Sequence, residues 1–136
     1  MTVELTQEVS SRLTSDHYGW LTTVTKSGRP VPRLVWLYFD GADLSVYSMP
    51  QAAKIAHIKV HPEVSLNLDS DGNGGGIIVV GGTAAVDATG VDCREDGPYW
   101  AKYSEGAAKF GLTEAIAAYS TRLKITPTRV WTTPTG

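Results

Sequence analysis

The sequence predicts a single α+β domain whose antiparallel strands curl into a closed or nearly closed barrel, and three observations carry that expectation. Apolar and polar residues alternate over short stretches, the period of half-buried strands. Turn chemistry separates those stretches, at Lys26-Ser27-Gly28-Arg29-Pro30, Asp40-Gly41 and Asp71-Gly72-Asn73-Gly74. The Gly81-Gly82 pair interrupts the longest stretch, where a bulge or sharp bend lets a small barrel turn a corner. A chain of 136 residues is enough for one core without disulfides or metals.

Taken in order, Leu5, Val9 and Leu13 recur at helical spacing and predict a short amphipathic helix over 4–14 that covers a barrel end. Gly19 to Thr25 is the first strand. Val31 to Phe39 is the second, with Arg33, Val35 and Leu37 on one face and Leu34, Trp36 and Tyr38 on the other. Both faces are largely apolar, so the strand is buried on both sides or offers one side to a ligand or second subunit. Asp43 to Ser48 follows as the third strand.

A helix is expected from Gln51 to His61, stopped by His61-Pro62. Ala52, Ile55, Ala56 and Val60 share one face, and Lys54, His57 and His61 the opposite one. Lys59 then falls within the apolar arc, where it either snorkels to solvent or reaches a charged group. Strands over 63–69 and 76–91 come next, a helix restarting at Pro98 with Trp100, Tyr103, Ala107 and Phe110 aligned, a further helix over 113–120, and a closing strand over 121–133.

Composition narrows the function. The net charge is −2 and the basic residues are scattered, which gives no stripe for a nucleic acid. Cys93 is alone, so an internal disulfide is excluded and a reducing, cytoplasmic setting is expected. The first residues lack the basic and apolar regions of a signal peptide, and the charge-free run after Asp71 is glycine-rich and too short to span a bilayer. The Gly72–Gly76 glycines join two strands, and so read as a hairpin, not a dinucleotide loop. His57 and His61 stand four apart without the glutamate or third ligand of a zinc helix, and read as surface histidines; no metal site is expected.

One set is chemically pointed. Arg33 opens the second strand, Tyr47 and Ser48 close the third, and Lys54 lies in the first turn of the next helix, where backbone amides also favour an anion. Two strands in register would bring the guanidinium fork, the hydroxyl and the ammonium together, as a phosphate requires. Read singly, Arg33 and Lys54 are equally ordinary solvated charges. Tyr38, Tyr47, Tyr99 and Tyr103 are all available as hydrogen-bond or proton donors, and nothing in the sequence separates them; no catalytic residue is assigned.

These residues resemble a known family. Gly19-Trp20-Leu21-Thr22-Thr23-Val24, the Ser27-Gly28-Arg29-Pro30 turn, RLVWLYFDG at 33–41, LSVYS at 44–48, AKIAHIKVHPEVSL at 53–66 and KITPTRVW at 124–131 follow, in order, the pyridoxamine-phosphate-oxidase-like FMN-binding split barrels. Within them the chain resembles the actinobacterial branch that uses the deazaflavin F420. The resemblance implies an antiparallel split β-barrel with short peripheral helices, and a homodimer with the cofactor in a groove between subunits. It implies that Arg33, Leu34, Val35 and Trp36 line the cofactor, that Tyr47 and Ser48 flank its phosphate, and that Lys54 binds it. Lys59 and Trp131 match a further basic and an aromatic position. It also implies an F420-dependent reductase transferring hydride to an unsaturated small organic substrate, with FMN as the alternative cofactor and a non-catalytic flavin or deazaflavin carrier as the alternative role. Where relatives carry another basic residue just before the lysine, this chain has Gln51, Ala52 and Ala53.

Overall fold

A computed structural model describes residues 3–87 and 89–132. Seven strands form one antiparallel sheet: β1 (Tyr18–Val24), β2 (Pro30–Trp36), β3 (Tyr38–Phe39), β4 (Leu44–Ser48), β5 (Glu63–Asn67), β6 (Ile78–Asp87) and β7 (Thr121–Thr132). Three helices accompany it, α1 (Gln7–Ser15), α2 (Ala53–Val60) and α3 (Gly97–Lys109). The spatial order is β2-β1-β5-β6-β7-β4-β3. The two ends of that order are consecutive in the chain, joined at Leu37. The sheet therefore curls until its edges are bridged by a single residue, which makes the architecture a split barrel. Leu21, Leu37, Leu44, Leu66, Leu123 and Ile125 fill its interior with almost no exposure, and Val9 and Leu13 of α1 close one end.

The stretch expected as one strand over 31–39 is two. Up to Trp36 it pairs with β1, and from Tyr38 it pairs with β4 at the opposite edge. The two ladders do not overlap: one ends at Trp36 and the other begins at Tyr38, and Leu37 lies between them. Its backbone is satisfied from outside the sheet: its N–H donates to the Tyr103 hydroxyl at 2.8 Å, and its carbonyl accepts from Lys102 Nζ at 3.0 Å and from the Tyr103 O–H.

Three other expectations are corrected. In α2 the buried residues are Ile55 and Ile58, while Ala56, Lys59 and Val60 are exposed. Two turns present only one narrow stripe, and the larger isoleucines take it because they bury more apolar area than alanine. Lys59 is then on the solvent side, with no ion pair or hydrogen bond among the described residues. In α3 the buried stripe is Tyr99, Tyr103 and Ala107, with Trp100 only partly covered; Phe110 is the exposed C-cap, and Gly111 at φ +70° ends the helix beyond it. The helix expected over 113–120 is a single 3₁₀ turn, Ala115–Ala118, with no side-chain cap at Glu114.

The Gly81-Gly82 expectation holds. The β6–β7 register shifts there, Gly81 facing Arg129 and Gly82 facing Pro127, with Thr128 left over on β7. The Gly72–Gly76 segment is indeed the β5–β6 hairpin loop. Thr133, expected to end the closing strand, and the Pro134-Thr135-Gly136 tail lie outside the described residues. Among the described residues no helix is long and apolar enough to cross a membrane.

Candidate functional site

A barrel bridged only at Leu37 leaves β2 and β4 unpaired with each other, and a cavity lies between them. It measures about 360 Å³ and is walled by Leu34, Val35 and Trp36 of β2 and Tyr47 of β4. Met49 and Lys54 also line it. Tyr99 of α3 forms part of the wall, and Leu112, Ala115, Ile116 and Tyr119 of the following segment cover it. Arg94 ties that cover down: its guanidinium pairs with Asp92 at 2.7 Å and reaches the Thr113 carbonyl at 3.3 Å and the Glu114 carboxylate at 3.4 Å.

Five of the residues singled out from the sequence, Leu34, Val35, Trp36, Tyr47 and Lys54, thus line one cavity. The other four are placed differently. Ser48 is fully buried; its hydroxyl donates to the Met49 carbonyl at 3.2 Å and accepts from Lys54 Nζ at 3.5 Å, so it holds the lysine from beneath. Arg33 is exposed and donates to its neighbour's carbonyl at Pro32. Lys59 faces solvent on α2. Trp131 lies on β7, in a separate groove of about 460 Å³ with Gly81, Thr128 and Arg129, whose guanidinium stacks 4.9 Å from its ring.

The electrostatics of the cavity are one-sided. Lys54 is half-buried, and desolvation lowers its pKa, helped by the nearby Arg33 charge. Both effects favour an anion that would replace lost hydration and separate the two cations. The α2 N-cap is Ala52, which offers no side-chain acceptor, so the Ala53 and Lys54 amides have no side-chain cap, while the Ile55 amide donates to the Ala52 carbonyl at 3.1 Å. No carboxylate lines the cavity. Lys54 gives the cavity one cationic donor and Leu34, Trp36 and Met49 give it an apolar wall, a set that fits a phosphate-bearing planar cofactor; Arg33 is not part of the lining.

The aromatic wall is fixed by its neighbours. Trp36 stacks on Tyr103 at 4.9 Å and 10°, Tyr99 meets Tyr47 edge-on at 4.7 Å, and Tyr99 and Tyr103 are 4.8 Å apart. The Tyr47 hydroxyl donates to Asp96 Oδ2 at 2.6 Å. Burial, reinforced by that carboxylate, pushes its phenol pKa up and keeps it protonated. A second, more polar cavity of about 370 Å³ is also lined by Tyr47, with Tyr38, Asp40, Ser45, Asp96 and Arg122.

Sequence reasoning missed the residues of this cover, because they come from a segment with little regular structure. Leu112, Ile116 and Tyr119 were legible as an aligned apolar set, but which surface they would cover was not. His57 is not on the surface: it is half-buried, its Nδ1 hydrogen-bonded to the Thr23 hydroxyl at 2.8 Å. Cys93 is fully buried behind the cavity wall, its thiol pKa raised chiefly by desolvation, and is a packing residue.

Comparison with known proteins places this architecture. Among proteins of curated function, none matches the chain. A solved structure of an F420 reductase superposes with a TM-score of 0.71 at 23% identity, covering 93% of this chain and 98% of that one. A pyridoxamine 5'-phosphate oxidase-type protein from Listeria innocua gives 0.69 at 21%, covering 94% and 97%. An FAD-binding protein from Mesorhizobium loti gives 0.68 at 23%, covering 96% and 93%. At such identities the likeness establishes the fold. The family model for pyridoxamine 5'-phosphate oxidase goes further, matching residues 5–134, nearly the whole length: the chain belongs to the pyridoxamine 5'-phosphate oxidase family.

Proposed function

We propose that the protein is a reductase that uses F420 to reduce an unsaturated small organic molecule, working as a cytoplasmic homodimer. The observation that carries this reading is the cavity in the barrel split, lined by Lys54 among apolar and aromatic side chains. Its volume lies at the small end of small-molecule sites, enough for a ring system and too small for a whole dinucleotide-sized cofactor. The remainder of the cofactor would run out over the protein surface.

That surface supports the dimer. Strand register places Leu34, Trp20, Asn67, Val79 and Trp131 in one row across the outer face of five strands. Leu34 is 53% exposed, Trp131 45%, Tyr18 44% and Trp20 40%. Large side chains so grouped call for a cover, and a second copy of the same face supplies an isologous one. In such a dimer Trp131, remote from its own protomer's cavity, is at the interface, as its proposed cofactor role requires.

When bound, the reduced deazaflavin supplies the hydride. This chain's residues do the rest: Lys54, Arg33 and the α2 amides hold the anionic end, Trp36 and Leu34 orient the ring, and the 112–119 cover excludes water. FMN is the second reading, favoured by the match to an oxidase family and an FAD-binding neighbour.

The test is a direct titration of the purified protein with F420 and, separately, with FMN. Tight binding of F420 over FMN, followed by oxidation of reduced F420 on addition of unsaturated acceptors, is the expected result. Binding without turnover would make the protein a carrier. Failure of both cofactors to bind would end the reading.

A further inference from the structure

Strand alternation builds a second site on the outside of the barrel. Leu44, Val46 and Leu123 point into the core, so Ser45 and Tyr47 of β4 and Arg122 of β7 are on the outer face, with Arg122 paired to Tyr47 in register. The stretch that leads into α3 then passes over them, and Val91, Glu95, Asp96 and Pro98 complete the polar cavity of about 370 Å³. Tyr47 borders both this cavity and the one in the split.

Arg122 lines this cavity and forms no ion pair among the described residues. Its Nε and Nη2 both donate to the Ser45 hydroxyl oxygen, at 3.1 and 3.0 Å. Its Nη1 makes no hydrogen bond among the described residues, so the end of the fork between the two terminal nitrogens, a geometry that takes a carboxylate, is open. The carboxylates around it are engaged elsewhere. Asp40 accepts from the Ala42 and Asp43 amides at 2.8 and 2.7 Å, Asp96 accepts the Tyr47 O–H and caps α3 at the Tyr99 amide, and Asp87, opposite Arg122 on β6, accepts from Thr89. Ser45 is only 3% exposed, and while its oxygen accepts from Arg122, its own hydrogen has no acceptor among the described residues. A buried hydroxyl hydrogen beside an open guanidinium end calls for an anionic acceptor.

A plain anion does not suit the rest of the lining. Asp40, Glu95 and Asp96 give the cavity three carboxylates against one guanidinium. Burial sorts them by depth: Ser45 and Tyr47 are buried, Arg122 and Asp96 half-buried, Asp40 and Glu95 exposed at the mouth. The Glu95 carboxylate has no partner among the described residues. An anion gains from Arg122 and loses to the carboxylates, whereas a cation leaves the donors of Arg122 and Ser45 unused. A molecule carrying both charges satisfies both ends and adds no net charge. We propose that this cavity binds a small zwitterion, an amino acid whose carboxylate lies on Arg122 and Ser45 and whose ammonium group lies toward Glu95 and Asp40. The site does not depend on the reductase reading.

The experiment titrates the purified protein, without added cofactor, and follows backbone amides by NMR. Glycine and γ-aminobutyrate are the zwitterionic probes, with short and long charge separation, and butyrate and butylamine carry one charge each. The tighter zwitterion is expected to move the Ser45 and Glu95 amides and to bind about tenfold more tightly than either singly charged probe, the difference made by one charge-assisted contact. Binding of butyrate or butylamine as tight as that, or binding of neither zwitterion, would overturn the proposal. Arg122→Met keeps an aliphatic stem across β4 and removes the fork; it should weaken the tighter zwitterion about tenfold, and wild-type affinity would overturn the assignment. Should that variant fail to fold, Glu95→Gln, at an exposed position without a side-chain partner, decides. A loss of about fivefold for the zwitterion and none for butyrate is expected, and an unchanged zwitterion affinity overturns it.

Discussion

Lys54 and Gly82 show how differently single residues carry weight in this molecule. Lys54 is held from beneath by Ser48 and depressed in pKa by burial and by Arg33, so its energy is realised only when an anion arrives. Lys54→Ala should weaken cofactor binding by about 1–3 kcal/mol, the range for a charge-assisted contact, with the fold unchanged. An unaltered dissociation constant in the F420 or FMN titration would remove it from the site. Gly82 matters through what it lacks. A Cβ there would stand 2.6 Å from the Thr126 carbonyl oxygen and 2.9 Å from an Ile125 methyl, across the bulge. Gly82→Ala should therefore cost about 1–3 kcal/mol by overpacking, read as a lowered midpoint in urea unfolding. Gly81→Ala meets only the edge of the Trp131 ring at 3.2 Å, a side chain that can yield, and should cost less.

At the scale of elements, the join between β2 and β3 governs both the barrel and its cavity. Leu37 leaves two ladders at once, and α3 replaces the missing partners through Tyr103 and Lys102, the latter also donating to the Asp16 carbonyl at 2.6 Å. Helix α3 thus pins the barrel seam while its Tyr99 faces the cavity. Tyr103→Phe leaves the ring stacked on Trp36 but strips the seam of its hydroxyl. It should destabilise by about 1 kcal/mol, the loss of a buried hydrogen bond at a backbone that keeps only a long contact from its N–H to the His17 carbonyl and the Lys102 contact at its C=O, and should speed amide hydrogen exchange at Leu37 more than at core positions of β6. Equal exchange at both sites would show that the seam is held by packing alone. The same dependence explains why the second strand was legible as an element and its break was not: alternation over 31–39 is continuous, and only the partner strands change.

For the molecule as a whole, the titration behaviour follows from the aromatic cluster. Tyr47, Tyr99 and Tyr103 all have pKa values raised above the ordinary 10.0, chiefly by burial. Between the unfolded and the folded pKa the native state holds more protons, so their stabilisation is complete below pH 10.0 and is lost as the pH rises beyond it. Lys102 acts oppositely: burial, against the opposing pull of Asp16, brings it down to about 8 from 10.5, so in that window the unfolded state holds the extra proton and stability rises with pH. The expected profile is a shallow rise above pH ~8 followed by a fall above pH ~10 that parallels tyrosinate absorbance, measured by urea unfolding across the range. Tyrosines ionising before unfolding would contradict it. The outer row of Leu34, Trp20, Val79 and Trp131 predicts a dimer in sedimentation at micromolar concentration, and Trp20→Glu, which places a charge in that face, should yield monomers. A monomeric wild type would leave the row without its proposed cover.

The sequence by itself determined the strands, their hairpin turns, the bulge at Gly81-Gly82 and the short helices, because each is written in local alternation or in glycine and proline chemistry. It also marked Arg33, Tyr47, Ser48 and Lys54 as a group, since two strands and a helix start bring them near one another over a short stretch of chain, whereas Leu34, Val35 and Trp36 followed only from the family resemblance. Tertiary structure alone decided that the second strand breaks at Leu37, that Ile58 and not Val60 is buried, that Ser48 supports the lysine from below, and that Lys59 and Trp131 lie away from the protomer's own cavity. Those outcomes depend on which surfaces meet across the barrel seam, where residues 60 or more positions apart compete for the same hydrogen bonds, and local pattern carries no record of that competition.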